Sequence, residues 1–339
     1  MTTQSLYLHV PFCQSKCPYC DFYSLCDGLR QEAYVDRCVG LLKAPPNPWR
    51  TAYVGGGTPS ALTPGLLARL LAAIECEGEF TIECNPASVT REFREAIAAG
   101  GINRVSLGVQ SVVPEERRAL GRSGDIGTIE RATALLDCEN LSLDVMLGVP
   151  GQSIANLTQT LEFCAKQAKH ISAYLLKIEP GTPFAGDPPR NLPEEDAQAD
   201  LYLFACGWLE RHGFIQYEIS NFARPGYESQ HNLHYWRCGE YYAVGPAAHG
   251  FTRGRRWHYP RDLEAFLRGD APIDDGPGGD YEERAMLALR LAEGFSSPTE
   301  EMLERAKALP GLVQVNNNCI KLTREGFLLS NTVIGKLLR

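Results

Sequence analysis

Cys13, Cys17 and Cys20 stand within eight residues as Cys-x-x-x-Cys-x-x-Cys. Three thiolates at this spacing hold three irons of a [4Fe–4S] cubane, one sulfur to each iron, and leave the fourth iron without a protein ligand. An open iron takes a chelating substrate. The amino and carboxylate groups of S-adenosylmethionine (SAM) form such a chelate, whose chemistry belongs to the cofactor while the protein orients it. The competing reading is zinc, which as a structural ion takes four protein ligands. The nearest fourth candidate, His9, lies along a strand-like run. One step further on, Gly55-Gly56-Gly57-Thr58-Pro59 closes a second β-branched run. Without side chains the backbone can approach a ligand closely, here the methionine amine of SAM. A plain glycine turn is the bland alternative.

The elements that must carry these loops alternate regularly. Strand-like runs at Ser5–Val10, Thr51–Val54, Thr81–Glu83, Arg104–Gly108, Leu141–Val145 and Ile171–Ile178 are separated by helical patterns. Gln31–Leu42 is one, stopping before Pro45-Pro46, and Pro64–Ile74 is another, with Leu66, Leu67, Leu70 and Leu71 on one face. Six such units predict right-handed βαβ crossovers and a parallel sheet. The fold class expected is α/β, an incomplete (β/α)6 barrel over residues 1–225 with a smaller α+β domain at 226–339. Barrel chemistry sits at the carboxyl ends of the strands, where both motifs fall. After Gly181 the pattern changes. Leu192–His212 reads as a long helix with Pro193 in its first turn, Tyr217–Phe222 as a strand, and the Gly/Pro/Asp-rich Asp270–Asp280 as a linker. From about 281 helices and a hairpin around Asn316-Asn317-Asn318 suggest a winged-helix-like part.

Composition narrows the function classes. The chain has 33 Lys and Arg against 41 Asp and Glu, a formal charge of −8, which argues against nucleic acid as a partner. Arg253-Gly254-Arg255-Arg256 is only a local basic patch. Met1–Val10 has no signal-peptide pattern and no run of about 18 apolar residues occurs, so a cytoplasmic protein is expected. The nine cysteines outside the triplet then read as free buried thiols.

Longer stretches resemble the radical SAM superfamily, in the branch containing the oxygen-independent coproporphyrinogen oxidases. They are Tyr7-Leu-His-Val-Pro-Phe-Cys13, Lys16-Cys-Pro-Tyr-Cys20-Asp-Phe22, Gly55-Gly-Gly-Thr-Pro59, Ile82-Glu-Cys-Asn-Pro86, Val105-Ser-Leu-Gly-Val-Gln-Ser111, Asp144-Val-Met-Leu-Gly-Val-Pro-Gly-Gln152, Tyr217-Glu-Ile-Ser-Asn-Phe-Ala223 and Leu322-Thr-Arg-Glu-Gly-Phe-Leu-Leu-Ser-Asn331. The resemblance covers nearly the whole chain. It implies that Tyr7, Gly56, Glu83 and Asp144 contact the cluster-bound SAM. It also implies that Tyr19, Gly57, Thr58, Gln110 and Arg122 line the adjacent pocket, which holds a second SAM in the oxidases. Read from residue type alone, Glu83 and Asp144 serve equally well as buried carboxylates satisfied by backbone, and Arg122 as a surface charge.

Two features separate the subfamilies. The oxidases carry a fourth cysteine two residues after the triplet, where this chain has Phe22; coproporphyrinogen oxidation is thereby disfavoured. His231-Asn232-Leu-His-Tyr235-Trp236 resembles the H-N-x-x-Y-W signature of the HemW-type radical SAM heme chaperones. That resemblance implies heme as ligand, with His231, Asn232, Tyr235 and Trp236 at its site. It also implies an apo-hemoprotein acceptor, in solution or membrane-associated, and admits a homodimer. The iron ligand is open among His231, His234, His249 and a cysteine. A polar turn packing two aromatics is the bland alternative. As an enzyme the chain would be a radical SAM methyltransferase or a coproporphyrinogen dehydrogenase-like protein acting on a tetrapyrrole or another substrate.

Overall fold

The computed structural model describes residues 5–45 and 48–339. Residues 1–4 and Pro46, which entered the readings of the N-terminus and of the first helix stop, lie outside the described residues. Six parallel strands come first: β1 (Ser5–Val10), β2 (Ala52–Gly56), β3 (Phe80–Cys84), β4 (Arg104–Gln110), β5 (Leu141–Leu147) and β6 (His170–Leu175). They pair in sequence order. Both faces are covered, and β5 is buried at six of its seven positions, so these strands read as nearly continuous apolar runs. The partly buried exception is Asp144.

The return helices begin on side-chain caps encoded locally. Thr90 accepts from the Phe93 amide, Asp125 from Thr128 and Ser153 from Asn156, each satisfying an amide that the helix start leaves free.

The barrel stays open and is extended at both edges. Beyond β6 lie β8 (Asn221–Ala223) and β7 (Ile215–Gln216), both antiparallel. Beyond β1, β9 (Tyr241–Val244) joins in parallel. It is followed by antiparallel β10 (His249–Thr252), β11 (Arg255–His258) and β12 (Ile273–Pro277), completing one twelve-stranded sheet. Three expectations are corrected here. The strand expected at Tyr217–Phe222 is two short strands around a turn, because Glu218 turns inward and accepts from the Ser220 amide. The linker expected at Asp270–Asp280 contains β12, held to β11 through backbone pairing and the Arg255–Asp274 ion pair. Pro193 precedes the helix, which runs Glu195–Arg211 behind an N-cap at Glu194. The sheet continues through Pro277, so residue 225 marks no break in it.

The remaining chain forms the smaller α+β part: helices Tyr281–Ala288 and Glu300–Lys307, the hairpin β13 (Val313–Asn316) and β14 (Cys319–Leu322), then helices Arg324–Leu328 and Ser330–Leu338. Asn317 and Asn318 both have positive φ (48° and 60°), the requirement of a two-residue type I′ turn. One apolar core runs from Leu6 and Leu8 in the sheet to Met302 and Leu337 in this part. Of the nine scattered cysteines, Cys38, Cys84, Cys164 and Cys206 are buried, four are partly buried and Cys26 is exposed. No helix among the described residues is long and apolar enough to cross a membrane.

Candidate cofactor site

The cysteine loop leaves β1 and is tied down by backbone. Cys13 N–H donates to the Leu25 carbonyl at 3.0 Å, and the Gly57 and Thr58 amides donate to the Val10 and Phe12 carbonyls at 2.8 and 2.7 Å. A Cβ at Gly57 would stand 2.7 Å from the Phe12 oxygen and 2.9 Å from that of Val10. Glycine is therefore required here by close approach of two backbones. The loop opens on a cavity of about 160 Å³ at the carboxyl ends of the strands. Cys13, Cys17, Cys20, Tyr19, Gly56, Gly57, Thr58, Glu83, Gln110, Arg122 and Asp144 all line it. A second cavity of about 470 Å³ adjoins it, sharing Tyr19, Cys20, Glu83, Asp144 and Tyr174. Tyr7 alone of the expected SAM residues faces elsewhere, into a cavity beside β9 and β10.

The donor set fits a cubane cluster better than a single ion. Cys13, Cys17 and Cys20 are free thiols. Among the described residues, their sulfurs do not form a group within 4.8 Å of one another, the proximity one ion would need. Each has a partly open face. The Arg122 Nη1 lies 3.7 Å from Cys17 Sγ and Thr58 Oγ1 lies 3.4 Å from Cys13 Sγ. Burial, together with the neighbouring Cys17 and Cys13, pushes the Cys20 thiol up. Bound cations reverse this and deprotonate a coordinating thiol outright.

Facing the cysteines are two partly buried carboxylates. Burial raises Glu83 to about 7, with a further push from Asp144; hydrogen bonds from Tyr53 and the Gly56 amide oppose the rise. Asp144 is raised by burial to about 6, against hydrogen bonds from Ser106 and Ser172. Tyr53 donates to Glu83 Oε1 at 2.7 Å, the Gly56 amide to Oε2 at 3.1 Å, and Ser106 to Asp144 Oδ1 at 3.0 Å. Their remaining lone pairs can accept from the hydroxyl or ammonium groups of a ligand. Gly55 is needed because a Cβ there would sit 2.9 Å from the Glu83 carboxylate. Gln110 ends β4 at φ 67°, a left-handed conformation beside a bulge at Gly108–Gln110. Such strain clusters at functional sites. Tyr174 holds the Gln110 side chain, donating to Oε1 at 2.8 Å.

The H-N-x-x-Y-W segment opens the helix Gln230–Trp236, docked end-on against the barrel. Its first amides find an acceptor in Glu79, just before β3. Ser229 Oγ and the Gln230 and His231 amides donate to that carboxylate at 3.0, 2.9 and 3.0 Å. A carboxylate is favoured at a helix N-terminus, and buried Arg104 stands 3.8 Å from it.

The structure places His231 in the interior, between the motif helix and the barrel. Its side chain is fully buried, with Nδ1 bonded to Thr51 Oγ1 at 2.8 Å and Nε2 to the Tyr235 hydroxyl at 2.6 Å. Burial lowers it to about 3, so it stays neutral. With both nitrogens engaged and no exposed surface, it has no free position for iron. Asn232 instead lines the 470 Å³ cavity and Tyr235 the cavity that holds Tyr7. Trp236 is half-buried against Arg290. Glu79, Thr51, Tyr53 and Arg104 escaped the reading of the sequence. Tyr174 could have been found, since it stands near the carboxyl end of the sixth strand, where barrel chemistry collects.

The family model described as the Radical SAM superfamily matches residues 7–164. The heme chaperone HemW of Lactococcus lactis is 32% identical, covering 98% of this chain and 97% of its own. HemW of Escherichia coli is 37% identical over 92% of this chain and 84% of its own. The coproporphyrinogen III oxidase HemN of Escherichia coli, a radical SAM enzyme, superposes with a TM-score of 0.83 over 98% of this chain and 89% of its own, at 20% identity; that likeness speaks to the fold. A cysteine loop facing two partly buried carboxylates of the barrel strands, and relatives alike from end to end, lead to one conclusion: the chain belongs to the radical SAM superfamily and, within it, to the family of the HemW heme chaperones.

Proposed function

We propose that this protein is a heme chaperone that binds heme and transfers it to apo-hemoproteins, carrying a [4Fe–4S] cluster and SAM. The observation that carries the reading is the near full-length likeness, at 32–33% identity, to chaperones of that name. Cys13, Cys17 and Cys20 would hold the cluster. Glu83, Asp144, Gln110 and Arg122 would bind and orient SAM, Arg122 pairing with a carboxylate. When bound, the cluster supplies the electron for reductive cleavage of SAM. The reading is of a cytoplasmic protein whose acceptor is an apo-hemoprotein, soluble or at a membrane.

A second reading, a radical SAM enzyme, is favoured by one observation: the 470 Å³ cavity adjoining the cysteine loop, with room for a second small molecule. One experiment separates the two. The protein is purified without oxygen, reconstituted with iron and sulfide, loaded with heme and mixed with apomyoglobin. Saturable heme uptake at about one per chain, followed by formation of holomyoglobin faster than from free heme, is expected. Absence of both, with SAM cleaved in the presence of reductant, would overturn the chaperone in favour of the enzyme.

A further inference from the structure

The chain has seven histidines, and six of them are spoken for. His9 and His170, like His231, are buried with both ring nitrogens hydrogen-bonded: His9 to Tyr7 and Tyr23, His170 to Ser142 and Tyr217. His234 Nε2 is bonded to the Glu240 carbonyl, and His212 lies flat on Trp208 with Nδ1 on that residue's carbonyl. His258 gives Nδ1 to Asp275 at 2.9 Å. His249 is exposed, and neither of its ring nitrogens has a hydrogen-bond partner among the described residues.

This free imidazole lines a cavity of about 330 Å³ whose walls are largely aromatic: Tyr7, Phe22, Tyr235 and Tyr241, with Arg261 also at the cavity, ion-paired with Asp21 at 3.3 Å. The cavity joins three separate parts of the chain. Tyr7 is on β1, Tyr235 belongs to the H-N-x-x-Y-W helix, and Phe22 follows the cysteine triplet and is 67% exposed. Aromatic walls suit a flat apolar ligand, and a guanidinium pairs with a carboxylate. The turn that presents His249 is built stiffly. Gly245 (φ 112°) lies so close to β1 that a Cβ would strike the His9 carbonyl, and Ala247 is held at φ 65°. Behind His249, the His258 ring is stacked at 5.0 Å and is itself held by Asp275. The ligating atoms of His249, His258 and Asp275 lie within 4.8 Å of one another.

We propose that His249 is the axial ligand to heme iron, with the macrocycle edge against Tyr7, Tyr235, Tyr241 and Phe22 and a propionate toward Arg261. The proposal rests on the chaperone reading above and adds the site and the ligand to it. A volume of about 330 Å³ is at the small end of ligand sites, so the porphyrin stays partly exposed, as suits a cargo that must be passed on. Neutral imidazole is the ligating form, and partial enclosure of the ring by the cavity walls, then the neighbouring His258, disfavour protonation of His249.

The test is a titration of the full-length, cluster-loaded protein with hemin, followed by absorption spectroscopy, for wild type, His249→Ala and His249→Cys. Wild type is expected to take up heme saturably with an imidazole-type Soret band. His249→Ala should bind about tenfold or more weakly, and added imidazole should restore its band. His249→Cys should move the band to a thiolate type. Variants that keep the wild-type spectrum, at any affinity, overturn the assignment and leave the chaperone reading standing. A wild type without saturable uptake overturns both. Because His249 is exposed, the variants should keep wild-type iron and sulfide content, which reports that the fold is intact.

Discussion

His231 stacks on Tyr53, ring centroids 5.2 Å apart with 29° between the planes, and Tyr53 donates its hydroxyl proton to Glu83 at 2.7 Å. Thus a motif 148 residues downstream in the chain stands behind a carboxylate of the cofactor cavity. Tyr235 holds the far side of the same imidazole. The motif acts as a wall that orients Glu83, and through Tyr235 it also reaches the aromatic cavity beneath His249.

His231→Ala should therefore behave first as a core variant. It removes a buried ring and leaves the Tyr235 hydroxyl without its partner, a loss of about 2–4 kcal/mol. A clear fall in Tm is expected, together with weaker SAM binding by calorimetry as Tyr53 and Glu83 lose their backing. An unchanged Tm with a loss confined to heme binding would contradict the burial argument.

Glu83 carries a pH dependence of defined sign. Its carboxyl titrates at about 7 in the folded chain against an ordinary value of 4.5, chiefly through burial. The folded state thus binds this proton more tightly than the unfolded state. The stabilisation is complete below about pH 4.5 and is lost as pH rises through about 7. In Glu83→Gln this dependence is absent. Thermal unfolding of the SAM-free protein between pH 4.5 and 7.5 should show wild type losing stability relative to the variant, on the order of 2 kcal/mol. Parallel Tm curves would refute it.

Gly57→Ala should displace the cysteine loop, because its methyl would meet the Val10 and Phe12 carbonyls inside 3 Å. The expected outcome is a folded protein with cluster loading reduced by half or more on reconstitution, read as iron and labile sulfide per chain. Full loading would mean that the loop can shift without cost.

Cys17→Ser removes one of three thiolates, and the Arg122 guanidinium 3.7 Å away loses its anionic partner. Iron and sulfide should fall from about four per chain to near zero, with the broad visible band lost. Retention of the band would sink the cluster assignment.

Much of this architecture was legible in the chain itself. The six parallel strands follow from β-branched runs separated by capped helices, and β1 spans Ser5–Val10 as its pattern predicts. The cysteine loop, the Gly55–Gly57 turn and Glu83 sit at strand ends and Asp144 in the middle of β5, where local pattern and barrel geometry together dictate their place. What the sequence could not determine are contacts between residues far apart in it. No local signal pairs Glu79 with the amides of residues 230 and 231, or brings β9 alongside β1, because both depend on where the sheet turns after β6. His231 shows the limit most plainly: residue type suggests a ligand, but burial and two hydrogen bonds fill both of its nitrogens. The reverse holds for His249, whose neighbours in sequence give no hint of the aromatic cavity it faces. Residue types set which chemistry is available, and tertiary packing decided which of those groups remain free to perform it.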